Sequence, residues 1–300
     1  MTILHVESFS VNKNPDTSIR LEEVVKWFFE IYLKEEFGIR DFLFSTPSED
    51  TSMLERCKSL LPGIESVVQQ YVCWIEEGEV DHELMELSSR VVDFGNLPSR
   101  AKRKYLVANA CNEKIRVVLN LLFSDQSVLL LQEECRGATD FPSAVLNAEL
   151  SVEDFGLEPQ QFALKLLEEV DLISIDTGTV QIVDWVEIEI LKRVHQHGAT
   201  MVTGSLLGER AASDRLVALG LLNWEAKLLT KEESEYFSYC LNNKFRNGLA
   251  LRNIILHGGM RIAQSEQEQF LSYFLALNLL IFLVIKINDD LCFYRDCSRK

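Results

Sequence analysis

The sequence predicts a mainly α-helical protein with one small α/β segment. Three observations carry this reading. Apolar residues recur at three- and four-residue spacing along most of the chain, the repeat of helices with one buried face. Residues 172–183 alone read as two short strands around a tight turn. Residues 265–287 are apolar on every side, as a buried central helix or a dimer seam would be.

The elements follow in order. Thr17 opens a helix that runs to about Glu36, with Gly38 as its stop. Residues 52–78 repeat the helical spacing, with an interruption at Pro62-Gly63. Helices are expected at residues 81–92, 100–110 and 113–123. The cluster Ser99-Arg100-Ala101-Lys102-Arg103-Lys104 is read as the solvated start of the second, with phosphate contact as the alternative. Residues 96–98 and 137–142 are loops. A helix over 159–170 leads to residues 172–175 and 180–183, which flank Asp176-Thr177-Gly178-Thr179, a hairpin signal. A helix followed by a hairpin is winged-helix-like. Lys165 stands there against Glu168, Glu169 and Asp171, the wrong sign for DNA phosphates, so the segment reads as a protein-contact or spacer module. Helices follow at 185–195, at 206–219 (stopped by Gly220) and at 232–245, with Asn223-Trp224 in a loop. Ser265-Glu266-Gln267-Glu268 is a capping box for the last helix. The chain thus divides into a multi-helix N-terminal domain (1–148), a winged-helix-like segment (149–190) and a C-terminal helical domain (191–300).

Bulk composition narrows the class. With 47% hydrophobic and 25% charged residues in 300, the chain has the makings of an ordinary soluble globular protein. The net charge of −16 would repel nucleic acid if spread evenly. It is not even. From Tyr236 to Lys300 eight basic residues stand against five acidic ones, a net +3, which leaves −19 on the remainder. The acidic N-terminal part is therefore a candidate protein-partner surface. Seven scattered cysteines, an odd number, read as reduced thiols of a cytoplasmic protein. Neither Cys292 with Cys297 nor His195 with His197 has a second pair at zinc spacing, so no metal site is expected. The N-terminus lacks a secretory pattern. The run over residues 270–285 is short for a membrane span and is interrupted by Ser272 and Asn278, so no membrane is expected. P-loop, G-x-S-x-G, H-E-x-x-H and C-x-x-C patterns do not occur, which sets aside the common kinase, hydrolase and metalloprotease chemistries.

One stretch points to chemistry: Arg252-Asn253-Ile254-Ile255-Leu256-His257-Gly258-Gly259. Asn253 and His257 are four apart and share a helical face. Arg252 lies one position off that stripe, and its long side chain can swing across. Arg246, seven before Asn253, falls near the same stripe. The glycine pair reads as a helix stop, which puts His257 in a last turn whose dipole favours the protonated imidazole. A permanent cation, an amide and a group titrating near neutrality suit an anionic substrate.

The pattern R-N-x-x-x-H-G before a long apolar C-terminal helix resembles the HEPN superfamily, whose ribonuclease members carry an Arg, a polar residue and a His in an R-x4-6-H motif. The resemblance covers at most the last third of the chain. It implies a C-terminal HEPN-like helical bundle, completed by helices from about Trp185 onward. It also implies an endoribonuclease needing neither cofactor nor metal. The ribose 2′-hydroxyl attacks the adjacent phosphate. His257 transfers the proton, Arg252 stabilises charge, Asn253 orients phosphate or histidine, and Arg246 is a substrate-binding cation. RNA as partner, a homodimer with two motifs at one cleft, and a role in prokaryotic defence or a toxin–antitoxin system also follow from the resemblance. A non-catalytic interaction module is the alternative reading, and a winged-helix transcription regulator a third.

Overall fold

The computed structural model describes residues 20–48, 50–87, 92–203, 207–256 and 265–298, and the protein is mainly α. Helix α1 (Leu21–Trp27) continues through a π turn (Phe28–Tyr32) into α2 (Leu33–Phe37), and Gly38 in the left-handed region ends it. The extra residue of the wider turn lets Phe28, Phe29 and Leu33 all reach the core. Helix α3 (Met53–Glu77) starts on Ser52, whose hydroxyl accepts from the Glu55 N–H at 3.2 Å. The expected interruption at Pro62-Gly63 does not occur. Pro62 withholds one backbone bond, but burial of Leu60, Leu61, Ile64, Val67, Val68 and Tyr71 holds the helix through it. Gly63 serves packing here: a Cβ would sit 3.0 Å from the ring of Phe44. Buried Gln70 donates to the Leu43 carbonyl at 2.9 Å and accepts from its N–H at 2.7 Å, fastening the segment after Gly38 along α3. A short α4 (His82–Leu87) follows.

The next element corrects the sequence reading. In place of a helix over 100–110 stands a loop and then strand β1 (Tyr105–Ala108). Tyr105, Leu106 and Val107 are strand formers, and pairing with distant segments decides their state. Helix α5 (Glu113–Phe123) is as expected, capped by Asn112. Helix α6 (Phe141–Asn147) opens on an Asp140/Ser143 capping box where a loop was expected. Helix α7 (Glu158–Glu169) precedes the hairpin of β2 (Ile173–Asp176) and β3 (Thr179–Ile182). Its two-residue turn has φ 50° at Thr177 and 83° at Gly178, the paired positive values of a type I′ turn. Helix α8 (Trp185–His197) ends on Gly198 and feeds β4 (Ala199–Met201). Helix α9 (Glu209–Ala218) leads through Gly220 to β5 (Leu222–Glu225), a strand where Asn223-Trp224 was read as a loop. Strand β1 lies between β4 and β5, antiparallel to both. Then come α10 (Lys231–Leu241), α11 (Leu251–Leu256) and α12 (Glu266–Ser298). Helix α12 begins on the expected capping box, Ser265 and Glu268 each accepting the other's backbone N–H, and runs eleven residues past the expected end at Ile287.

These elements form two compact units. The first holds α1–α4, α11 and α12 up to Ile285. The second holds residues 93–240, 244–247 and α12 from Lys286. The division falls at Val92/Asp93, not near residue 148. Residues 149–190 share one core with α5, α6, α9 and the three-stranded sheet: Leu167, Ile173, Val180 and Ile188 pack in the same cluster as Leu106, Val118, Phe141 and Leu216. By length and composition alone α12 could cross a membrane. Within the first unit it buries Ala276, Leu277, Leu279, Leu280 and Leu283 and exposes Phe270, Leu271 and Phe274.

Inside the second unit Glu187 of α8 is fully buried, and among the described residues neither carboxylate oxygen has a hydrogen-bond donor. Burial pushes its pKa up from 4.5 to about 7, only partly opposed by Arg215, 3.4 Å away. The folded carboxyl thus holds its proton to higher pH than the unfolded one. Its contribution to stability is complete below pH 4.5 and is lost as pH rises through about 7. The expected loss is about 2–3 kcal/mol, at roughly 1.4 kcal/mol per pH unit between the two titrations. Urea unfolding at pH 5 and pH 8 measures it. Glu187→Gln should flatten that difference, and equal pH dependence in parent and variant would refute the assignment.

Candidate functional site

Helix α11 carries the first half of the Arg252–His257 pattern. Leu251 and Ile255, four apart, are buried, and the helix packs against α3. Arg252 and Asn253 are half-buried and Ile254 is exposed. The helix starts abruptly at Ala250, whose φ of 45° breaks the backbone from the preceding turn.

The structure gives Arg252 a partner that the sequence did not. Its Nε lies 2.7 Å from Oε1 of Glu65 on α3, with both side chains about three-quarters buried (32% and 24% exposed). The N–H is not aligned on the carboxylate, so this is an ion pair rather than a hydrogen bond. A guanidinium has five N–H donors in a rigid fork, so a pair at Nε leaves the rest of the fork for other partners. Nothing in the sequence marks Glu65, one of many acidic residues, in a helix far from the motif. The helix that supports α11 is therefore α3, from the N-terminal part of the chain. The expected completion from Trp185 onward does not hold, because α8 belongs to the other unit.

Arg246 is exposed in a turn of the second unit. The break at Ala250 means that no single helical stripe runs through Arg246 and Asn253, which corrects that part of the sequence reading. His257, with Gly258 and Gly259, lies outside the described residues.

A second cluster of ionisable groups lies in the second unit. Lys104 and Asp290 are both fully buried, with Nζ 2.7 Å from Oδ1. Asp290 also accepts from the Ser99 hydroxyl and, at 2.8 Å, from the Arg100 N–H. Lys104 donates further to the Leu228 carbonyl at 3.1 Å. Beside it, Lys286 donates to the Tyr105 hydroxyl at 2.8 Å and to Glu233 at 2.9 Å. Burial pulls Lys104 below the usual lysine range against the opposing pull of Asp290. For Lys286 burial acts the same way, but the bonds to Tyr105 and Glu233 outweigh it and hold the amine above its usual value. With no solvent access at Lys104 and Asp290, this cluster fastens the loop before β1 to the end of α12. A substrate has no way in to the Lys104–Asp290 pair.

Comparison of the chain with protein-family models, with curated proteins and with solved structures finds no match.

Proposed function

We propose that the first unit is a HEPN-like helical bundle and that the protein is a metal-independent endoribonuclease. The observation that carries the reading is the Arg252–Glu65 pair. It supports a guanidinium held by a neighbouring helix, still partly open to solvent, one residue before Asn253 and five before His257. In the proposed reaction the ribose 2′-oxygen bonds to the adjacent phosphorus as the bond to the 5′-oxygen breaks. His257 shuttles the proton from the 2′-hydroxyl to the leaving 5′-oxygen. Arg252 stabilises the charge that develops on phosphate, and Asn253 orients the phosphate or the imidazole. Neither metal nor cofactor enters. The products carry 2′,3′-cyclic phosphate ends, and detecting those ends after incubating structured RNA with the full chain in chelator tests the proposal.

We also propose a cytoplasmic homodimer, in a defence or toxin–antitoxin setting, with no membrane. The support for the dimer is an exposed apolar set within the first unit: Leu21, Val24, Trp27 and Ile31 at helical spacing on α1 and the π turn, and Phe270, Leu271 and Phe274 on α12. The Tyr273 hydroxyl donates to Glu22 at 2.7 Å, which ties the two helices side by side. Light scattering at micromolar concentration should give the mass of two chains, and Phe270→Glu with Phe274→Glu should give a folded single chain. A parent with the mass of one chain would refute the dimer. The same face favours the second reading, a non-catalytic interaction module whose acidic N-terminal part and winged-helix-like hairpin meet a protein partner.

A further inference from the structure

The second unit contains a cleft of about 630 Å³ between the loop before β1, α9, β5 and the last turns of α12. Four cations line it: Arg100, Lys102, Arg103 and Arg210. Among the described residues one carboxylate lines it, Asp214, which pairs with Arg103 at 2.9 Å. In a chain of net charge −16 this is a local excess of three positive charges at one concave place. Two aromatic rings share the lining, and each faces a guanidinium: Arg100 lies 5.0 Å from the centre of the Tyr294 ring, Arg103 5.7 Å from that of Trp224. The Trp224 indole N–H is buried and has no hydrogen-bond partner among the described residues. A buried donor left so is costly unless something else accepts from it. The basic residues here are those that the sequence placed on a solvated helix face. With the helix replaced by a loop, Arg100, Lys102 and Arg103 converge on the cleft together with Arg210 from α9.

We propose that this cleft binds a nucleotide. The fork of an arginine matches phosphate oxygens, and a lysine beside it adds a point charge. The faces of Trp224 and Tyr294, with their guanidiniums, form the layered surface on which a base stacks. A volume near 630 Å³ lies within the range of small-molecule sites, about 300–1,000 Å³, and accommodates a nucleotide. A simple anion would use the cations and leave the aromatic faces idle, which is why base and phosphate are assigned together. The nucleotide arrives either free or as one residue of a single strand. The assignment does not depend on RNA cleavage at Arg252.

Calorimetric titration of the full chain tests it with three probes: adenosine monophosphate, a 2′-O-methyl RNA hexamer and inorganic phosphate. The hexamer lacks the hydroxyl that cleavage needs, so binding is read separately from the proposed nuclease. Binding of the monophosphate identifies a free nucleotide, and binding of the hexamer alone identifies a strand. Either upholds the proposal, provided that Lys102→Ala with Arg210→Ala weakens it at least tenfold. Both side chains are exposed, so this variant keeps the fold. For the hexamer, the slope of log affinity against log salt should fall by about 0.7 for each phosphate that the variant no longer neutralises. Binding of neither nucleotide would overturn the proposal. So would affinity unchanged in the double variant, or phosphate competing as well as the nucleotide at equal concentration.

Discussion

Asp290→Ala should destabilise the protein by about 3–5 kcal/mol, the usual effect of removing one partner of a buried ion pair. Asp290 is fully buried and serves three donors: Lys104 Nζ, the Ser99 hydroxyl and the Arg100 N–H. Alanine removes the acceptor that all three share: Lys104 keeps only the Leu228 carbonyl and the Ser99 hydroxyl only the Ala101 carbonyl, and the missing acceptor matters more than the missing volume. With Asp290 gone, burial acts on Lys104 with less to oppose it and pulls the amine further below its ordinary value. A base depressed in the folded state destabilises as pH falls, so the variant should recover part of its loss as pH rises toward 10. Replacing both partners together, Lys104→Met with Asp290→Leu, should be far milder than the single change, because no charge is left stranded. Urea unfolding of the three proteins decides this. A loss under about 1 kcal/mol in Asp290→Ala would mean that the pair does not hold the fold as described.

Arg252→Ala should lower RNA cleavage by about 10²–10³-fold, the scale seen when a single donor to a developing oxyanion is removed. Leu251 and Ile255 carry the packing of α11, and Arg252 is part-exposed, so the helix should remain. Glu65→Gln separates placement from charge. It keeps the shape and removes the ion pair, so the arginine loses its anchor but not its charge. A smaller drop in cleavage is expected, falling on turnover and leaving RNA affinity near that of the parent. Equal effects of the two substitutions on affinity, with turnover untouched, would make Arg252 a docking residue rather than a part of the reaction.

What could be read in advance divides along physical lines. Helices α5, α7 and α8 have local causes: a capping Asn112, a strong 3.6-residue repeat, a stop at Gly198. The hairpin turn is as local, since Thr177-Gly178 adopts positive φ at both positions. Strands β1 and β5 escaped because their partners are remote in sequence. Asn223-Trp224 looks like a loop until it lies against Leu106 and Val107. Lys104 looked like a solvated residue, and only Asp290, brought in by the last helix, explains its burial. Pro62 looked like a break, and only the packing of α3 shows why it is none. The site follows the same division. Arg252 and Asn253 on a helix were legible from spacing. Glu65, set opposite them by the packing of α3 on α11, was not.

The central claim is that the Arg252–His257 motif cleaves RNA without metal, and His257→Ala tests it most directly. Parent and variant should be incubated with the same structured RNA in excess chelator, and both cleavage and product ends followed. The expected result is cleavage by the parent, unaffected by chelator, with 2′,3′-cyclic phosphate ends, and a loss of about 10²–10⁴-fold in the variant, the range for removing a general acid–base group. Cleavage that persists undiminished in His257→Ala, or that vanishes from the parent when chelator is added, would contradict it.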